Sequence, residues 1–273
     1  SSEGGRGGET IRTGSGRKEG VVVAFISANG GSGTTFISAA CSILSARRGL
    51  DVFYLNFEDI PSTGFYFTSE NETDFSSVIY YLKERPENLN VRLKGLYCTE
   101  PVYGIRFFKP VKNILEMNDI TAEDIDILME NLKRKSSHDI IFVDLPGRID
   151  GKVSSVLREC DIVVQVFNPG AEASERGKLL SRAINTVIRE YNIPLKSRIN
   201  VLNRCLQAYG PGEKDCWEPG YPHCCTQYNT GDFEFDAVIQ EQKKINGKAD
   251  YVEISRLLDN ILERAGGVYN GFS

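Results

Sequence analysis

No run of about 18 consecutive apolar residues occurs in the chain, so no segment is apolar for long enough to cross a bilayer as a helix. The first residues also lack the charged-then-apolar pattern of a secretory leader. There is no cationic excess. The 37 acidic and 32 basic residues leave a net charge of −5, which disfavours a strongly basic surface for nucleic acid. The seven cysteines are odd in number and scattered through apolar segments. That usage argues against a disulfide framework and for a reducing compartment, so a cytoplasmic protein is expected. No internal repeat is evident.

What remains is ordinary globular composition, 41% hydrophobic and 25% charged over 273 residues, enough for one large core. Residues 1–18 are rich in Gly, Ser and Arg with Ile11 as their one large aliphatic residue. Such a stretch cannot bury a core, and it reads as a flexible linker or a cloning remnant. If it is a native linker, another domain is expected upstream. The folded domain is expected over 19–273. Val21–Ile26 is a continuous apolar run, as in a strand buried on both faces of a parallel sheet. The pattern then predicts a glycine-rich loop, a helix from Thr35 to Arg48 stopped by Gly49, and a strand over Asp51–Asn56. Further strands are expected at 104–108, 140–144, 162–167 and 199–202. Helices are expected at 75–83, from Thr121 to about Lys135, at 174–191 and at 251–264, with Thr121 and Asp124 partly forming a capping box. This alternation predicts an α/β fold, a mainly parallel twisted sheet with helices on both faces.

The most informative stretch is Asn29-Gly30-Gly31-Ser32-Gly33-Thr34-Thr35. Glycines between a buried strand and a helix let backbone N–H groups turn inward. Together with the helix N-terminus they form a cradle for phosphates. The Thr35 hydroxyl stands where such loops hold Mg²⁺. A dinucleotide fingerprint fails, because its last glycine would fall on Phe36. A glycine-rich turn that binds nothing is the bland alternative.

Loop, flanking strand and helix resemble the ParA/MinD family of deviant Walker ATPases, whose loop reads K-G-G-x-G-K-[ST]. Asn29 and Thr34 stand at the two lysine positions. The resemblance implies a P-loop domain that binds ATP and Mg²⁺ through residues 29–36, and a homodimer with nucleotide near the interface. The lysine losses imply weak hydrolysis or none, because phosphoryl transfer depends on positioned positive charge. Other positions fit the same pattern. In Asn56-Phe57-Glu58, Glu58 keeps the second acid of the family's Asp-x-Asp and is expected to orient water and support the metal. Asp144-Leu145-Pro146-Gly147 resembles the Walker B segment, with Asp144 near the metal. Asn168-Pro169-Gly170 with Glu172 and Ser174 resembles the following loop. Asn203-Arg204 resembles the strand-end pair whose Asn amide meets adenine; a turn-forming Asn is the alternative.

Degenerate loops of this kind resemble the CpaE/TadZ branch. That branch implies a receiver-like domain upstream and a role in placing a pilus or secretion assembly machine at a cell pole. The rival reading is an active partition or positioning ATPase associated with DNA. It needs a replacement cation, for which Arg148 and Lys152 are the nearest in sequence. Cys216, His223, Cys224 and Cys225 do not have two-pair zinc spacing, and a surface insertion is expected there. His138 is expected at a solvated strand end. Gly266–Ser273 lacks the basic amphipathic pattern of a membrane-targeting helix, so direct lipid binding is not expected.

Overall fold

The computed structural model describes residues 19–168, 171–205, 237–240, 244–245, 248–249 and 252–266. Its centre is an eight-stranded sheet in the order β3-β4-β2-β5-β1-β6-β7-β8. These strands are β1 (Val21–Ile26), β2 (Val52–Asn56), β3 (Cys98–Thr99), β4 (Arg106–Phe107), β5 (Ile140–Asp144), β6 (Ile162–Phe167), β7 (Ser197–Cys205) and β8 (Ala237–Gln240). All neighbours are parallel except the short β3–β4 pair.

Alternation along β1 explains why its sequence is apolar throughout. Val22, Ala24 and Ile26 enter one core, while Val21, Val23 and Phe25 enter the other. Successive strand side chains point to opposite faces, so a strand covered on both sides needs an unbroken apolar run. The first core packs against α3 (Phe75–Glu84), α4 (Leu89–Leu96), α5 (Ala122–Glu130), α6 (Gly151–Glu159) and α7 (Ala171–Glu190). The second packs against α1 (Thr34–Arg47) and α8 (Val252–Arg264). The four-residue α2 (Thr63–Tyr66) lies after β2. The predicted α/β architecture is the observed one.

Some boundaries and elements differ from the sequence reading. The helix capped by Thr121 ends as regular α-helix at Glu130, and one π-turn, Asn131–Lys135, completes it. The capping box is complete: Asp124 N–H donates to the Thr121 hydroxyl, and Thr121 N–H donates to the Asp124 carboxylate. α4 and α6 were not predicted, although Asp150 caps α6 through Val153 N–H and Val153, Val156 and Leu157 supply a helical apolar stripe. His138 is not solvated. It is 3% exposed, packed at a tilt against Phe53, with a protonated Nδ1 donating to Asp51 Oδ1 at 3.2 Å and Arg106 Nη1 lying 3.0 Å from the same nitrogen. The reason lies in the sheet: residues 138–139 run beside Asp51 before β5 begins, so the neighbouring strand covers them.

Winding direction reverses about β1. From β1 the chain moves outward to β2, β3 and β4, returns to β5, and then passes β1 to β6, β7 and β8. Such a switch point leaves a crevice beyond the carboxyl ends of the central strands.

Candidate functional site

The glycine-rich loop leaves β1 at that crevice. α1 begins on Gly33, which has φ +82° and no side-chain cap, and its first turn holds no acidic residue. By contrast α3, α5 and α6 are capped by Asp74, Thr121 and Asp150. The positive dipole end of α1, uncapped by any side chain, therefore suits an external anion. Above them lies a cleft of about 380 Å³ lined by residues 29–36, Ser27, Glu58, Ser62, Tyr66, Leu145 and Gly147.

Every predicted loop residue lines this cleft. Asn29 and Phe36 are half-buried at its edges, and Gly30 and Gly31 are exposed. Thr34 is buried, and its hydroxyl shares a 2.6 Å hydrogen bond with the equally buried Ser32 hydroxyl. The residue at the second lysine position is thus tied back into the loop. Among the described residues lining the cleft there is no Lys or Arg. Arg148 and Lys152 line a different, largely apolar cavity of about 300 Å³. Arg148 pairs with Asp59 and, at 2.9 Å, with Asp150, while Lys152 donates to the Met117 carbonyl at 2.5 Å.

Asp144 ends β5 opposite Asn56 of β2 and Phe25 of β1, and it is wholly buried. Its Oδ2 accepts from the Tyr54 hydroxyl and from Asn56 Nδ2, both at 3.3 Å. Among the described residues, its Oδ1 has no hydrogen-bond partner. Burial, and then the negative charge of Glu58, push the Asp144 carboxyl up to about 8, while the Thr35 and Tyr54 hydroxyls pull the other way. Glu58 is half-buried; its N–H donates to Asn56 Oδ1 at 2.8 Å, and its Oε2 accepts from Asn56 Nδ2 at 3.4 Å. A buried, unpartnered carboxylate oxygen beside a threonine hydroxyl and a second acid fits a hard divalent cation with oxygen ligands. Asp144 and Thr35 would hold it, with Glu58 in support through water. On phosphate oxygens, such a cation would neutralise charge.

Sequence reading missed Tyr54, Ser62 and Tyr66. Tyr54 could have been found, because it stands two residues before Asn56 and so shares that residue's face of β2. Burial, followed by Asp144 and Glu58, raises the Tyr66 hydroxyl above its ordinary range. Asn203 lies at the loop as well, but it is not among the residues lining the cleft. Its Nδ2 donates to the Ser32 carbonyl at 2.6 Å. Arg204 follows in β7, and its side chain lies outside the described residues, as do Pro169, Gly170, the side chains of Glu172 and Ser174, and Cys216–Cys225. No helix among the described residues is long and apolar enough to cross a membrane.

No protein-family model matches the sequence, and no curated protein matches it either. Solved structures do match, and they are ParA/MinD-family ATPases. A plasmid partition protein from Borrelia burgdorferi is 16% identical over 90% of this chain and 100% of its own, with a TM-score of 0.66. MinD from Pyrococcus horikoshii, complexed with Mg-ADP, is 14% identical over 92% and 99%, with a TM-score of 0.61. The cell division ATPase MinD from Pyrococcus furiosus is 16% identical over 89% and 99%, with a TM-score of 0.62. Likeness at such identity is a likeness of fold, and the fold is that of ParA/MinD P-loop NTPases.

Proposed function

We propose that this chain binds ATP with Mg²⁺ in the cleft above Gly30–Thr35 and hydrolyses it slowly or not at all. One observation carries the reading: the N-terminus of α1, uncapped by any side chain, opens on a cleft that no described cation lines, and Asp144, buried and outside that lining, stands next to Thr35, which belongs to it. Backbone amides suit the phosphates, and Asp144 with Thr35 suits the metal, so binding has its parts. Turnover needs charge placed where charge develops, and the two residues at the lysine positions supply none. Arg148 and Lys152, the replacements the rival reading requires, are engaged elsewhere.

In this reading ATP is a structural ligand. It stabilises whichever state binds it better, here a homodimer with nucleotide near its interface, without being consumed. The degenerate loop further supports a CpaE/TadZ-like role: a cytoplasmic protein recruited to a cell pole that helps place a pilus or secretion assembly machine through contacts with its proteins. Calorimetry with Mg-ATP on the wild type, Asp144→Ala and Gly33→Asp tests the core of the proposal. Micromolar binding by the wild type alone is expected; three indistinguishable null titrations would overturn it. Steady-state phosphate release at an ordinary P-loop ATPase rate would refute the slow-hydrolysis half.

A further inference from the structure

β7 is separated from β1 by β6, yet its Asn203 reaches the loop that follows β1. The contact is short and enclosed: Nδ2 to the Ser32 carbonyl oxygen is 2.6 Å, and Asn203 is 7% exposed. Gly33 lies directly against it. A Cβ there would lie 2.4 Å from Nδ2, and the φ of +82° already disfavours any side chain. The Ser32–Gly33 peptide is trans, so its carbonyl and its N–H point in opposite directions. Gly33 lines the cleft and Asn203 does not. With the Ser32 carbonyl held by Asn203, the Gly33 N–H is left on the opposite side of the peptide, where a phosphate in the cleft could meet it.

We propose that Asn203 is a positioning residue of the phosphate loop, which by donating to the Ser32 carbonyl fixes the Gly33 amide for the phosphate chain and so sets affinity for phosphates rather than for the base. The inference rests on the nucleotide reading above. Its energetic logic is preorganisation. A glycine-rich loop has much conformational freedom to lose on binding, and a tertiary hydrogen bond removes part of that freedom beforehand. The Ser32–Thr34 hydroxyl pair works within the loop, whereas Asn203 fastens the loop to the sheet.

The test is calorimetry on the full chain with three probes, Mg-ATP, Mg-GTP and magnesium tripolyphosphate, for the wild type, Asn203→Ala and Asn203→Asp. The aspartate keeps the shape, removes the donor and sets a carboxylate against a carbonyl. Both variants are expected to weaken all three ligands by a common factor of about tenfold. In the ligand-free protein they should also speed amide exchange across residues 29–35. Loss confined to ATP, with tripolyphosphate unaffected, would instead make Asn203 a base reader. A lowered melting temperature with unchanged affinities would make it merely structural. Either result overturns the inference and leaves the nucleotide reading standing, whereas a wild type that binds none of the three probes overturns that reading itself.

Discussion

Ser32 and Thr34 hold each other's hydroxyls at 2.6 Å inside the loop, both side chains buried. Where a ParA/MinD loop carries a lysine, this chain has a residue whose polar atom is turned back toward its neighbour. The substitution changes direction as well as charge. Thr34→Lys should therefore gain a full charged contact with bound phosphate, about 1.5–3 kcal/mol, or roughly ten- to a hundredfold in Kd for Mg-ATP. Titration calorimetry reads this directly. Combined with Asn29→Lys, the change should also raise steady-state phosphate release. An unchanged Kd would mean that nucleotide does not sit over this loop.

Gly147 lies against the start of the same loop. A Cβ at that position would stand 2.4 Å from the Ser27 carbonyl oxygen, a backbone atom with little freedom to move. Gly147→Ala is expected to cost about 1–3 kcal/mol through overpacking and to weaken Mg-ATP binding by displacing the loop. Chemical denaturation and calorimetry on the same sample check the two effects. Full stability in the variant would show that the loop yields easily.

Asp144 should give the ligand-free protein an unusual pH dependence. Its folded pKa, raised to about 8 by burial and by Glu58, lies above the ordinary carboxylate value of about 4. Between those values the folded state keeps a proton that the unfolded chain has lost, so stability falls as pH rises through that window. The usual acid-side effect operates lower down. Burial would raise Asp51, but hydrogen bonds from His138 and Arg106 outweigh it and hold the carboxyl at about 2, so that stabilisation is lost only as pH falls toward 2. Thermal melts in EDTA should show the wild type losing stability from about pH 5 to pH 8. Asp144→Asn should flatten that slope, and an equal slope in the variant would assign the effect to other groups.

Arg148 tests the rival, active reading. Its side chain is 44% exposed, and its guanidinium bridges Asp59 and Asp150 beside the second cavity. Exposed pairs of this kind contribute about 0–1 kcal/mol. Arg148→Ala should leave Mg-ATP affinity and phosphate release unchanged and shift stability by no more than that. A marked fall in turnover would show that this arginine swings to the phosphates.

Much of the site was legible because its signals are local. The apolar run of β1, the glycines after it and the apolar run ending in Asp144 each lie within a few consecutive residues, and each predicted element is present. α6 is written in the sequence as well, in the capping Asp150 and the helical spacing of Val153, Val156 and Leu157. His138 was misjudged because nothing near it in sequence reveals Asp51, Arg106 and Phe53, which reach it from other strands.

Local order along the chain, by itself, determined the parallel sheet and the glycine-rich turn between β1 and α1, since hydrophobic period and backbone chemistry are properties of neighbouring residues. Only the tertiary structure decided what surrounds those groups. Strand register brings Tyr54 and Asn56 onto one oxygen of Asp144 and leaves the other unpartnered. The reach of β7 sets Asn203 against Ser32 across 171 residues of chain. Such contacts follow from how strands are ordered in the sheet, and that order minimises a free energy of the whole domain, which no single stretch of sequence contains.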